Sequence, residues 1–72
     1  MGKPVELFDV VALDEDLPVH GLVRGQVGTV VETLSPGVYE VEFHDDEGNT
    51  YAMLPMKTEQ LIVLHNSPVR TP

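Results

Sequence analysis

Glycine and proline limit this chain more than any other feature: six of each divide 72 residues, and between Pro18 and Pro55 no stretch free of both exceeds ten residues. Proline lacks the N–H that a helix interior needs, and glycine loses the most backbone freedom on ordering, so long helices are excluded. Short β-branched runs separated by turn chemistry remain, the pattern of a small sandwich or barrel. A chain this size buries about 60% of the surface it exposes unfolded, which is enough for one modest core. With no cysteine, neither disulfides nor thiolate zinc sites staple that core.

Five runs have strand character. The first, Phe8 to Leu13, closes on the acidic segment Asp14-Glu15-Asp16-Leu17-Pro18 and opens a long loop to Gly25, under which Leu17, Leu22 and Val23 are expected to tuck. The second, Gln26 to Leu34, is β-branched. The third, Val38 to Phe43, alternates strictly: Tyr39, Val41 and Phe43 share one face and Glu40 and Glu42 the other, so one face is buried and one wet. Ser35-Pro36-Gly37 joins them as a tight turn. Its register stays open: a three-residue loop buries Thr29, Val31 and Thr33 beside Tyr39, and one residue more buries Val30 and Leu34. A bulge near Gly28 would give both Val30 and Val31 partial cover. After the turn His44 to Asn49, the fourth strand runs from Thr50 to Leu54 and ends at Pro55. Lys57 to Gln60 reads as one helical or 3-10 turn with Thr58 as N-cap, before a last strand at Leu61 to Leu64. The expected fold is all-β, a small five-stranded SH3-like barrel with that short turn before the last strand. Residues 1–65 form the domain and 66–72 a flexible tail.

Charge narrows the partners. Twelve acidic residues face four cations (Lys3, Arg24, Lys57, Arg70), giving a net charge of −8. Phosphate neutralisation by Lys and Arg supplies most nucleic-acid affinity, so nucleic acid and anionic membranes are disfavoured and a basic protein partner is compatible. No apolar stretch approaches the about 20 residues of a membrane span, and the N-terminus lacks the apolar run of a signal peptide, so a cytoplasmic location is expected.

Reactive constellations are weak. His20, His44 and His65 lie in separate segments without metal-ligand spacing, and Ser35 and Ser67 sit in a turn and the tail, away from any Ser-His-Asp order. Asp45-Asp46-Glu47-Gly48-Asn49 lacks the alternate ligands and flanking helices of a calcium loop. The pairs Asp14/Asp16 and Glu40/Glu42 would need a water-excluding cleft to do acid–base work. Gly25 and Gly28 have no Lys-Ser/Thr partner for a phosphate cradle. With no Trp and only Phe8, Tyr39, Phe43 and Tyr51 as aromatics, a groove for proline-rich peptides is poorly supplied. No catalytic, cofactor or metal residue is assigned. A docking surface remains, formed by Asp14, Glu15, Asp16 and Leu17 beside Asp45, Asp46 and Glu47, with Tyr51 nearby. The expected state is a monomer or weak homo-oligomer.

LDEDLP at Leu13–Pro18, GLVRGQVGTVVE at Gly21–Glu32, YEVEF at Tyr39–Phe43, then Gly48, Thr50 and Glu59-Gln60-Leu61, together resemble a family of small bacterial proteins known as a domain of unknown function. The resemblance spans nearly the whole chain and implies a fold without an established activity. Some members of such families sit near toxin–antitoxin or immunity modules. Gly25-x-x-Gly28-x-Val30 is similar to the glycine pattern of the KOW motif, which implies a strand that bends into a barrel; the Lys and Arg flanking that motif in RNA-binding proteins are missing here. At the level of fold alone, the layout resembles the barrels of the nitrile hydratase β subunit and of electron-transfer accessory subunits, which dock against larger proteins. The expected function is a non-catalytic protein-interaction module, an accessory or neutralising subunit for a basic partner. The alternatives are a KOW-like nucleic-acid-associated barrel and a toxin–antitoxin or immunity-type protein.

Overall fold

The computed structural model describes residues 4–65. Five antiparallel strands, β1 (Val10–Leu13), β2 (Val27–Ser35), β3 (Val38–His44), β4 (Thr50–Lys57) and β5 (Leu61–His65), form one sheet in the order β4-β3-β2-β1-β5. Two 3-10 turns, Pro18–His20 and Thr58–Gln60, complete an all-β chain. β4 and β5 are opposite edges of the sheet, yet Met56 of β4 and Leu61 of β5 share one core cluster with Val11, Leu13, Val30, Val41 and Phe43. A single sheet brings both of its edges to one core only by curling on itself, so the fold is barrel-like.

Register follows from which residues reach that core. Gly28 faces Phe43, Val30 faces Val41 and Thr33 faces Tyr39, and on the far side of β3 Phe43, Val41 and Tyr39 face Ala52, Leu54 and Met56. The ambiguity at Val30/Val31 resolves through a bulge at Val31, the extra residue between the Val30 and Glu32 pairings; a second falls at Leu34. Val30 is therefore fully buried, Val31 half-buried and Leu34 exposed. The bulge lies past Gly28 because Gly28 is needed for close approach: a Cβ there would sit 2.8 Å from the Glu42 carbonyl oxygen and from a Val41 methyl. Gly37 and Gly48 take positive φ at the two hairpin turns.

Several expected boundaries move. β1 starts at Val10, because Glu6–Asp9 is a turn in which the Asp9 N–H donates to the Glu6 carbonyl at 3.0 Å. The buried Asp9 carboxylate braces it by accepting the Glu6 N–H at 2.7 Å, while its Oδ1 finds no partner among the described residues. Val30 makes further backbone bonds to both Phe8 and Asp9 across this junction: the Phe8 N–H donates to the Val30 carbonyl at 2.7 Å and the Val30 N–H to the Asp9 carbonyl at 2.9 Å. The turn leaves Phe8 with φ +69° and its ring 64% exposed, where the sequence had placed it on a strand. A bulky residue in the left-handed region costs roughly 1–2 kcal/mol, and an exposed ring recovers little of that. Phe8→Gly is accordingly expected to raise the unfolding free energy by about 1 kcal/mol, read as a higher urea midpoint at unchanged slope; a lower midpoint would mean that the ring is held by packing.

Pro55 does not end β4, which continues to Lys57; on an edge strand a missing N–H breaks no ladder bond that the sheet requires. Lys57, in extended conformation, caps the second 3-10 turn in place of Thr58, its N–H donating to the Gln60 side chain at 2.8 Å. Thr58 instead ties the turn to Gly37 through its backbone N–H at 3.0 Å. β5 runs one residue further, to His65. The tail at 66–72, with Ser67 and Arg70, and Lys3 at the other end, lie outside the described residues.

Candidate functional site

The loop between β1 and β2 is tied at every few residues. Leu17 and Leu22 exchange backbone hydrogen bonds at 2.9 and 3.1 Å, closing a small lobe around Pro18–His20. Gly21 ends that turn with φ +70°, and the Tyr51 hydroxyl of β4 donates to its carbonyl at 3.0 Å. A Cβ at Gly21 would lie 2.9 Å from the same hydroxyl, so glycine is needed here both for its backbone angle and for space. Leu22 enters the core and Leu17 packs against it, as expected. Val23 does not: with Leu22 turned inward, the next side chain points out and is 60% exposed.

The acidic residues of this loop hold the loop itself together. Asp16 accepts the Arg24 N–H at 2.7 Å, the Arg24 guanidinium lies 3.4 Å from Asp14, and Gln60 donates to Glu15 at 2.8 Å. Both members of the Arg24–Asp14 pair are well exposed, so the contact contributes little to stability. Arg24 also shares the lining of one groove with a second acidic segment.

That segment is the turn between β3 and β4. Asp45 accepts the backbone N–H groups of Glu47 and Asn49, each at 2.9 Å. These bonds, Asn49 foremost, hold its carboxyl below the ordinary aspartate value. A depressed value means that the ionised form stabilises the fold above the unfolded-state pKa, near 4, and that the contribution fades as pH falls through the folded value. The Asp45 carboxyl carbon is therefore expected to titrate below an aspartate of an unfolded chain, as followed by NMR. Asp45→Asn should abolish pH dependence of the Glu47 and Asn49 amide shifts in that range. Titration of Asp45 at the unfolded-chain value would contradict the bonding. Asp46 and Glu47 are exposed, and their carboxylates make no hydrogen bond among the described residues.

Between loop and turn lies an open groove of about 690 Å³. One wall is the backbone and side chains of residues 23–27; the other is His44, Asp45 and Asp46 with Tyr51. Val23, Val27 and Tyr51 make it partly apolar, and the acids of the turn give it a negative rim. Of the surface expected from sequence, Asp45, Asp46 and Tyr51 line the groove. Glu47 follows Asp46 in the turn without lining the groove, and Asp14, Glu15, Asp16 and Leu17 are not among the lining residues. Sequence reading missed Val23, Arg24, Gln26, Val27 and His44. Arg24, a lone cation within an acidic loop, was the one available signal; nothing marked Val23 or Val27 as outward. The His44 Nδ1 is buried and has no hydrogen-bond partner among the described residues. Tyr51 is the one Phe, Tyr or Trp among the lining residues. His20 is exposed in the first 3-10 turn and is not among the groove's lining residues.

Among the described residues no three His, Cys, Asp or Glu side chains come together as a metal site, and no helix is long and apolar enough to cross a membrane. The family described as Domain of unknown function (DUF4926) matches residues 7–63, from the Leu7–Phe8 corner into β5. No curated protein and no solved structure matches the chain.

Proposed function

We propose a binding role for this chain, which belongs to the DUF4926 family: a non-catalytic interaction module that receives a basic segment of a protein partner in the groove between residues 23–27 and the Asp45–Glu47 turn. One observation carries the reading. Asp46 and Glu47, whose carboxylates do no structural work among the described residues, flank a groove large enough for several side chains and walled by Val23, Val27 and Tyr51. Apolar walls with an acidic rim suit a segment that offers both an aliphatic stem and a cationic head, as Lys and Arg do. The net charge of −8 steers such a partner and repels phosphate backbones. An accessory or neutralising subunit for a basic protein is the corresponding biological role.

An immobilised peptide array spanning basic, neutral and acidic sequences tests this. Selective, salt-sensitive retention of basic peptides is expected, reduced at least about tenfold by the double variant Asp46→Lys/Glu47→Lys. That variant leaves the bonds of Asp45, Asp16 and Tyr51 in place. Retention of neutral peptides alone, or basic-peptide binding indifferent to the double variant, would reject the proposal.

A further inference from the structure

The sheet has two edges, and they differ in kind. β4 carries Pro55, which offers no N–H, and ends in the charged Lys57. Proline and lysine on an edge strand are the usual obstacles to pairing with another chain. β5, Leu-Ile-Val-Leu-His, has neither proline nor a formal charge, and among the described residues it pairs on one side only, with β1. Its outward side chains are apolar and half-open: Ile62 is 44% and Leu64 43% exposed.

The outer face beside this edge is uncharged as well. The row Ile62–Ala12–Val27 crosses β5, β1 and β2 through the registers Ala12↔Ile62 and Ala12↔Val27. The acids lie before β1, in the loop, on β2 and β3, and in the turns; β1, β4 and β5 carry none, and of the two edge strands, β4 with its Lys57 and β5, β5 alone has no formal charge of either sign. Two copies of net charge −8 therefore set no formally charged side chain of either strand against the other where β5 meets β5.

We propose that β5 is a self-pairing edge at which a second copy of this chain adds its own β5 antiparallel, extending the sheet across a twofold axis. Pairing centred on Val63 sets Ile62 of each copy opposite Leu64 of the other. The two rows then become one continuous apolar stripe, and backbone hydrogen bonds form along the open side of each strand.

Sedimentation equilibrium of the full chain over a wide concentration range, with amide exchange at both ends of that range, tests this. A monomer–dimer equilibrium is expected, with the β5 amides that point away from β1 exchanging readily in the dilute monomer and protected in the dimer. Ile62→Lys/Leu64→Lys should weaken dimerisation at least about tenfold, while Met53→Lys on the β4 edge leaves it unchanged; circular dichroism verifies that each variant is folded. If the double variant fails to fold, Leu64→Thr, which keeps β-propensity and removes apolar area, takes its place with the same expected direction. A chain that stays monomeric, a dimer indifferent to the β5 changes, or open-side β5 amides already protected in the monomer would each overturn the proposal. None of these outcomes bears on peptide binding in the groove, which is read separately.

Discussion

Phe43→Ala should leave the chain largely unfolded at 25 °C. The Phe43 ring is the largest side chain buried without residual exposure, and it sits where β2, β3 and β4 cross, facing Gly28 on one side and Ala52 on the other. Both neighbours are small, so nothing beside the ring can expand into the space that it vacates. Truncations of this kind cost about 3–5 kcal/mol when the site cannot collapse. A domain of this size has about 5 kcal/mol in total. Loss of the cooperative urea transition, or a midpoint near zero denaturant, is the expected reading. A midpoint shifted by less than about 1 kcal/mol equivalent would mean that the core lies elsewhere.

The second large effect comes from adding a single methyl group. Gly28→Ala places a Cβ within 2.8 Å of the Glu42 carbonyl oxygen and a Val41 methyl, and 2.9 Å from the Phe43 ring. The first of these is backbone and the other two belong to the core, so none can yield without moving β3 away from β2. About 3 kcal/mol of destabilisation is expected, at the upper end for overpacking. Gly25→Ala is the informative comparison. No atom lies within 4 Å of a Cβ at Gly25, but its φ of +92° disfavours any side chain, so a conformational cost of about 1 kcal/mol is expected there. Equal losses at the two glycines would show that Gly28 serves backbone freedom and not close approach.

These two residues mark how far the sequence could be read. Strict alternation at Tyr39, Val41 and Phe43 makes the buried face of β3 legible, because a period of two on a half-buried strand leaves one solution. Turn chemistry at Ser35-Pro36-Gly37 and Asp45–Asn49 made the hairpins legible for the same local reason. The bulges at Val31 and Leu34 were not, since bulge position depends on which residues of the partner strand fit beneath Gly28. Phe8 was misplaced because strand propensity argued one way while the buried Asp9 carboxylate, bonded to Glu6, folded the segment into a turn. Pro55 was taken as a terminator where the edge position of β4 tolerates it.

The candidate site was legible in composition and not in arrangement. Acidic residues announced a negative surface, but local spacing cannot tell a carboxylate that caps its own loop from one that faces solvent. Asp16 and Asp45 are of the first kind, Asp46 and Glu47 of the second. The walls contributed by Val23, Val27 and Tyr51 arise only when the loop is pinned back by the Tyr51–Gly21 bond, a contact thirty residues apart in sequence.

Whether that groove is the working surface is read most directly by NMR. An isotope-labelled chain titrated with a basic peptide retained on the array should show its largest amide shift changes at residues 23–27, 44–46 and 51, with Asp46→Lys/Glu47→Lys suppressing them. Changes confined to β5 or to the Leu7–Phe8 corner, with the groove amides unmoved at saturation, would contradict the account.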